Sequence, residues 1–140
     1  MPARRRSMVF DSGVILELLS GSKEGKRVER FVEDNLYEIV VNELNLEEVK
    51  YIVCRKAGED KALEVEEALK SSGYFTLIPF SQVSGEVYKI KCKYPISLAD
   101  ATTIATAKVL GLKALFRREK ELEPFKAELD VVFTDELPGL

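Results

Sequence analysis

Short apolar blocks alternate with amphipathic segments along the whole chain. Apolar runs rich in β-branched and aromatic residues predict five strands, at 8–10, 37–41, 74–80, 113–116 and 129–133. Apolar residues at helical spacing predict the intervening helices, at 12–20, 24–35, 45–58, 60–73, 82–93, 97–111 and, more briefly, 118–126. Strands therefore alternate with single or paired helices from one end of the chain to the other.

This order of elements is typical of a parallel sheet covered by helices on both faces. The sequence predicts an α/β protein of three layers, α/β/α, around a central, mostly parallel sheet of four to five strands. At 140 residues the chain has the length of one domain. We interpret residues 1–7, which include three consecutive arginines, as a basic tail and residues 8–140 as a single domain.

Composition narrows the chemistry that such a domain can perform. The chain has no histidine, which excludes a His general base, a Ser–His–Asp triad and every His-ligated metal site. Two isolated cysteines are too few for a disulfide framework or a thiolate metal site. No apolar run approaches the roughly 18 residues of a membrane span, and the first residues lack the apolar stretch of a secretory signal, so we expect a cytoplasmic protein with no membrane partner.

Acidic residues follow the ends of several predicted strands. The carboxyl ends of parallel strands share one edge of a sheet, which is where ligands bind in open α/β folds. Side chains from distant parts of the chain are therefore expected to meet at this edge. The acids in such positions are Asp11, Glu47 and Glu48, Asp100, and Glu119 with Glu121.

Helix capping is an alternative explanation for two of these acids. Ser97-x-x-Asp100 and Asn45-x-x-Glu48 both approach the capping-box pattern, in which side chains satisfy the free N–H groups of a helix start. Acids in a first helical turn also interact favourably with the helix dipole. Capping accounts for each acid singly, but it does not require them to gather at one edge of the sheet, and both explanations stay open.

Gathered carboxylates would need a counter-charge. Two of them about 4 Å apart repel by roughly 4 kcal/mol at an effective dielectric constant near 20. Protons or a hard cation must offset this repulsion, and a set of oxygen ligands without histidine favours Mg²⁺ or Mn²⁺. Such a site can hydrolyse a phosphodiester with the help of the metal. This chemistry would also explain why Asp100 stands alone in an apolar segment.

Four blocks of sequence, taken in order, resemble the PIN-domain ribonucleases and in particular the small VapC-type toxins of toxin–antitoxin modules. The blocks are MVFDSGVILELL, NLEEVKYIV, ISLADATTIATAKVLG and ALFRREKEL, and they extend over roughly residues 8–133. The resemblance implies that Asp11, followed by Ser12, is the acid after the first strand. It also implies that Glu48, rather than Glu47, is the second acid and that Asp100 is the third.

The fourth acid of the family departs from the usual pattern here. A T-x-D segment usually follows the fourth strand, whereas this chain has Arg117-Arg118-Glu119. The resemblance therefore implies Glu119 as the fourth ligand, with Glu121 as the fallback. Arg117 and Arg118 are candidates for contacts with RNA phosphates, the alternative being solvated surface charge.

The resemblance further implies a divalent-metal-dependent endoribonuclease, the toxin of a toxin–antitoxin pair, in which a water activated by the metal attacks phosphorus. Ser12 and Thr103 would orient a ligand carboxylate or that water, although a threonine in a helix often bonds its own i−4 carbonyl. A homodimer and an antitoxin partner are also implied. Candidates for the antitoxin groove are Val14, Ile15, Leu18, Leu19 and the helix at 24–35, each of which ordinary core packing would also explain.

Two other functions are compatible with parts of the sequence. A degraded active site would leave an RNA- or protein-binding module, which the unusual Arg117–Glu119 segment suggests. A phospho-acceptor receiver domain has a similar size and also binds Mg²⁺ through clustered acids. It normally has two adjacent acids after its first strand and an Asp after its third, and this chain has neither.

Overall fold

The computed structural model describes residues 6–137, which form five strands and six α-helices. The strands are β1 (Arg6–Phe10), β2 (Tyr37–Asn42), β3 (Phe75–Ile78), β4 (Ala114–Phe116) and β5 (Val131–Phe133). The helices are α1 (Ser12–Ser20), α2 (Lys23–Asn35), α3 (Glu43–Ala57), α4 (Glu59–Ser71), α5 (Phe80–Lys93) and α6 (Leu98–Leu110). Residues 1–5 of the predicted basic tail lie outside the described residues. Arg6 and Ser7 belong to β1, which begins two residues before the predicted strand.

The five strands form one sheet in the order β3-β2-β1-β4-β5, and every neighbouring pair is parallel. In register, Val9 of β1 lies between Val40 of β2 and Ala114 of β4. A parallel connection needs a crossover, and helices fill each one in this chain except the last, between β4 and β5. The predicted α/β fold with a central parallel sheet is confirmed.

Helices cover both faces of the sheet, because successive strand residues point to opposite sides. Val9 and Val40 pack on one face with apolar residues of α5 and α6, such as Val83 and Ile104. The neighbouring strand residues Met8, Phe10, Ile39 and Val41 pack on the other face against residues of α1–α4, which include Ile15, Val28, Val49 and Val65. These two apolar cores give the three predicted layers.

The helix α6 lies in the interior, and its seven residues from Ala101 to Ala107 are all buried. Ala101, Ile104 and Ala105 belong to the core on the α5–α6 face. The buried hydroxyls of Thr106 and Thr103, by contrast, face polar groups of β2 and of the loop after β1. Among residues 6–137, no helix combines the length and the apolar character that crossing a membrane requires.

The order of the strands creates a switch point between β1 and β4. The chain proceeds from β1 to β2 and β3 on one side, then returns through α5 and α6 to place β4 on the other side of β1. Helices that follow β1 and precede β4 therefore lie on opposite faces of the sheet, which opens a crevice at the carboxyl ends of these two strands.

Several predicted elements differ from the structure, among them the strand predicted at 74–80, which ends at Ile78 because Phe80 already begins α5. The helix predicted at 118–126 is absent, and that stretch holds turns and a short 3₁₀ segment, Glu123–Phe125. Pro124 explains the difference, since proline lacks the N–H that an α-helix needs and its ring clashes with the carbonyl four residues earlier. The helix predicted from residue 45 begins at Glu43, because the Asn42 side chain accepts a hydrogen bond from the Leu44 N–H at 2.9 Å.

Candidate metal centre

Asp11 stands at the switch point of the sheet. It directly follows β1, and its backbone N–H donates to the carbonyl of Leu115 in β4 at 3.0 Å. The Asp11 carboxylate also caps α1, because Oδ2 accepts from the Gly13 N–H at 3.2 Å. The residue is only 3% exposed. Packing and capping together hold this carboxylate in one place.

Two further acids meet Asp11 in the crevice. Asp100 lies in the first turn of α6, and Glu119 lies in the loop after β4. Each of the three residues offers a carboxylate oxygen, and these three oxygens all lie within 4.8 Å of one another. A proton held between the carboxyls of Asp100 and Glu119 would let one donate to the other. The structure therefore brings together three of the four predicted acids from segments far apart in the chain.

Glu48 stands beside this group without belonging to it. It lies in the second turn of α3, half-buried, and its carboxylate accepts a hydrogen bond from the Ser12 hydroxyl. Its charge contributes to the raised pKa values of both Asp11 and Asp100, so it lies close to both. The predicted pairing of Ser12 with a ligand carboxylate thus involves Glu48. Glu47 and Glu121 are both exposed and outside the group.

The capping alternative has different outcomes for the two acids. Ser97 caps α6 and accepts from the Asp100 N–H at 3.0 Å, as the capping box predicts, while the Asp100 carboxylate joins the acid group. Asn45 does not cap α3, and the prediction that it does is wrong, because Asn42 takes that position. Glu48 consequently lies beyond the first turn, and capping does not explain it.

Burial and mutual repulsion dominate the electrostatics of the group, and they outweigh the charge of Arg117, which acts on Glu119. Burial, and secondarily the charge of Asp100, raises the pKa of Asp11 from 3.8 to about 7, against hydrogen bonds from Gly13 and Thr103 that lower it. Burial and the charge of Glu119 raise the pKa of Asp100 to about 7 as well. The pKa of Glu119 is also raised, chiefly by burial. At neutral pH the group therefore holds protons or a cation.

A divalent cation fits these residues. The donors are carboxylate oxygens from three or four acids, a set that Mg²⁺ and Mn²⁺ prefer. Asp11, Asp100 and Glu119 would hold such an ion, and Glu48 stands near enough to assist through the crevice. A cation would also offset the mutual repulsion that raises the pKa values of these acids.

Thr103 supports the group from α6. Its hydroxyl lies 3.2 Å from Asp11 Oδ1 and 3.3 Å from the carbonyl of Ala99, one turn earlier in the helix. Both predicted alternatives for this hydroxyl, orientation of a carboxylate and a bond to its own helix, are thus within reach. Thr102, by contrast, bonds the Leu98 carbonyl at 2.8 Å and does not contact the acids.

The two arginines after β4 have different partners. Arg117 pairs with Glu17 of α1 at 3.3 Å and lowers the pKa of Glu119 by its charge. Arg118 points to the other side, where its guanidinium binds both oxygens of Asp135 at 2.6 and 2.8 Å and stacks on the Phe133 ring. That the arginines contact RNA stays a prediction for both, and the structure gives Arg118 the more complete set of protein partners.

Sequence reasoning missed Asn45 as a residue of this region. Its side chain is fully buried, and its Nδ2 donates to the carbonyl of Ala99 at 3.2 Å, directly before Asp100. The signal was present, because Asn45 lies three residues before Glu48, a spacing that places both on one face of a helix. Its polar character was attributed to capping instead.

Comparison with known proteins agrees with this architecture. The model of the PIN domain family matches residues 8–127. A toxin–antitoxin complex from Klebsiella pneumoniae is 21% identical and has a TM-score of 0.69, with 91% of this chain and 97% of that chain covered. DNA-bound VapBC from Salmonella typhimurium is 14% identical, with a TM-score of 0.70 and coverage of 94% and 99%.

A third similar structure is VapC20 from Mycobacterium tuberculosis, described as a toxin that cleaves the sarcin–ricin loop. It is 15% identical and has a TM-score of 0.63, with 76% of this chain and 86% of that chain covered. At these identities the structural similarities establish the fold. No curated protein matches the sequence.

Proposed function

The chain belongs to the PIN domain family, as its sequence motifs indicated, and we propose that it is a divalent-metal-dependent endoribonuclease that hydrolyses RNA phosphodiester bonds. Proteins of this family are generally nucleases. The observation that carries the proposal is the convergence of Asp11, Asp100 and Glu119 at the switch point of the sheet, with raised pKa values and carboxylate oxygens within 4.8 Å of one another.

Each residue has a defined part in this proposal. Asp11, Asp100 and Glu119, assisted by Glu48, bind Mg²⁺ or Mn²⁺. A bound divalent cation supplies charge neutralisation at the phosphoryl group and activates water for hydrolysis. Since the chain has no histidine, no imidazole is available to act as general base. The Gly13 N–H and the Thr103 hydroxyl hold the two Asp11 oxygens in fixed directions.

RNA cleavage by purified protein tests this proposal. We expect Asp11→Asn and Asp100→Asn each to lower the rate of RNA cleavage by about 100-fold or more, because each removes a charged ligand of the ion while keeping the shape of the side chain. EDTA should abolish the activity of the unchanged protein, and Mn²⁺ should restore it. Glu47→Gln is the matched control, since Glu47 is exposed on α3 beside Glu48, and it should cleave at the normal rate.

We also propose that the protein is the toxin of a toxin–antitoxin pair, and a groove supports this. Apolar residues of α1, α3 and α4 line a cavity of about 630 Å³, among them Leu16, Leu19, Ile52, Val53 and Val65. Arg117 and Glu17 stand at its border, so the groove extends toward the loop that carries Glu119. An antitoxin segment with apolar side chains at helical spacing would fit this groove.

The predicted groove residues need one correction. Val14 and Ile15 are fully buried and belong to the core, as do Val28, Phe31 and Val32 of α2. Leu19, which is 40% exposed, is the predicted residue that reaches the groove. Exchanging Leu19 and Ile52 for Ser should weaken capture of the antitoxin, whereas RNA cleavage by the isolated protein should not change. A homodimer stays a prediction, for which the size of the protein in solution is the measurement.

Of the two alternative functions, the receiver domain and the binding module with a degraded site, only the second is still open. The receiver-domain hypothesis is wrong, because the chain belongs to the PIN domain family. The binding module with a degraded site rested on the unusual Arg117–Glu119 segment, yet the Glu119 carboxylate reaches the acid group. Calorimetry separates the two remaining functions, since a degraded site would give no heat of binding with Mn²⁺.

A further inference from the structure

One buried amide spans the two helices that supply Glu48 and Asp100. Asn45 of α3 is 0% exposed, and its Nδ2 donates to the Ala99 carbonyl of α6 at 3.2 Å. Asn45 lies one helical turn before Glu48, and Ala99 directly precedes Asp100. A single hydrogen bond therefore joins the helix starts that carry two acids of the proposed site.

The hydrogen bond from Asn45 to Ala99 also affects which acceptor the neighbouring Thr103 hydroxyl binds. Thr103 has one proton and two acceptors within reach, Asp11 Oδ1 at 3.2 Å and the Ala99 carbonyl at 3.3 Å. Since the Ala99 carbonyl already accepts from Asn45, it is a poorer acceptor for a further proton, and we expect the Thr103 proton to favour Asp11. Without Asn45, that carbonyl would compete for the proton, as i−4 carbonyls commonly do for threonine hydroxyls in helices.

The side-chain oxygen of Asn45 indicates that the residue is not there to stabilise the fold. No described residue donates a hydrogen bond to Asn45 Oδ1, although the atom is buried. An unpaired buried acceptor destabilises a protein, and an apolar side chain of similar size would avoid that cost. An asparagine here is therefore best explained by what its donor group does for the adjacent acids.

We propose that Asn45 is a positioning residue for the metal site. It binds no ion itself. It holds the start of α3 against the start of α6, which sets the separation of Glu48 from Asp100, and it directs the Thr103 hydroxyl to Asp11. This inference rests on the proposed function of the acid group as a metal centre.

Asn45→Leu is the first test, with Mn²⁺ titrated into purified protein by calorimetry. We expect the affinity for Mn²⁺ to fall about 10-fold, the range seen when a residue that orients a metal ligand is removed. The midpoint of urea unfolding without metal should equal or exceed that of the unchanged protein, because the unpaired carbonyl is gone. A merely structural Asn45 would give the opposite pair of results. If Asn45→Leu does not fold, Asn45→Ala carries the same expectation for Mn²⁺ affinity.

A pair of threonines on α6 gives the matched control. Thr103→Val should lower Mn²⁺ affinity, and the double variant should lose less affinity than the sum of the two single effects, because part of the Asn45 effect acts on Asp11 through the Thr103 hydroxyl. Thr106→Val removes a buried hydroxyl of the same helix that accepts from Asn42 at 3.1 Å and does not contact the acids. It should leave Mn²⁺ affinity unchanged. If the effects of Asn45→Leu and Thr103→Val on Mn²⁺ affinity are fully additive, Asn45 does not act through the Thr103 hydroxyl.

RNA cleavage, measured separately, distinguishes this inference from the proposed function. Unchanged protein that binds Mn²⁺ without cutting RNA contradicts the nuclease proposal alone. Asn45→Leu with the Mn²⁺ affinity of the unchanged protein contradicts only the role of Asn45. Unchanged protein that binds no Mn²⁺ contradicts both.

Discussion

Carboxylates in two regions of this protein have opposite environments. Away from the crevice, the half-buried Glu66 pairs with Lys50 at 3.1 Å, and the exposed Asp135 pairs with Arg118 at 2.6 Å. Hydrogen bonds from these cations lower the pKa values of both acids. In the crevice between β1 and β4, by contrast, burial and mutual repulsion raise the pKa values of Asp11 and Asp100 to about 7.

This difference supports the proposed metal site in the crevice. The chain has 21 lysines and arginines, enough to pair many of its acids, and surface ion pairs occur along much of the described chain. The acids of the crevice instead face each other. Buried like charges destabilise a fold, so their grouping is explained best by a cation that binds there.

The affinity of the crevice for metal should depend strongly on pH. Protons and Mn²⁺ compete for the same carboxylates, and two of these have pKa values of about 7. We expect Mn²⁺ affinity to rise about 100-fold between about pH 6 and pH 8, roughly 10-fold for each of the two protons displaced. Calorimetric titrations at the two pH values measure this change. An affinity independent of pH in this range would mean that the crevice is not the metal site.

Replacing one acid in each region should change stability in opposite directions. A carboxyl whose pKa is raised in the folded protein stabilises the fold only where it is protonated. Its contribution is therefore lost as pH rises from about 4 in the unfolded chain through about 7 in the folded one. Asp11→Asn removes this effect and should raise the free energy of unfolding at pH 8, without metal, by about 2 kcal/mol.

The surface acid supplies the control for this experiment. Asp135→Asn should lower the free energy of unfolding at pH 8 by less than about 1 kcal/mol, because exposed ion pairs such as that with Arg118 contribute little. Urea unfolding followed by circular dichroism measures both variants. At about pH 4 the advantage of Asp11→Asn should largely disappear, since Asp11 is then protonated in the folded protein and about half protonated in the unfolded chain. If Asp11→Asn lowers the free energy of unfolding at pH 8, burial and repulsion in the crevice do not destabilise the fold as the comparison predicts.

The smallest expected effect separates the two neighbouring arginines. Arg117 stands nearer the crevice with ion pairs to Glu17 at 3.3 Å and Glu24 at 4.0 Å, whereas Arg118 is held by Asp135 and the Phe133 ring. In an Asp100→Asn background that does not cleave, Arg117→Met should weaken RNA binding about 3- to 10-fold and reduce the slope of log affinity against log salt by about 1. Arg118→Met should change neither quantity. Equal effects of the two substitutions would show that the protein contacts of Arg118 do not keep it from RNA.

Local sequence pattern was sufficient for most of the fold and for the identity of the acids. β-branched runs and helical spacing located every strand and all six α-helices, because these signals depend only on residues a few positions apart. The local pattern failed at 118–126, where apolar spacing suggested a helix that Pro124 prevents. It also failed at the start of α3, where Asn42 rather than Asn45 is the cap. Both errors arose from competing local signals.

By itself, then, the sequence determined the order of strands and helices, the edge of the sheet at which the acids lie, and the absence of histidine chemistry. Only the tertiary structure decided which acids meet, that Glu119 rather than Glu121 completes the group, and that Asn45 reaches Ala99. The reason is distance along the chain. Thr103 and Asp11 are 92 residues apart, and their 3.2 Å contact depends on how α6 packs against the sheet, which no local pattern specifies.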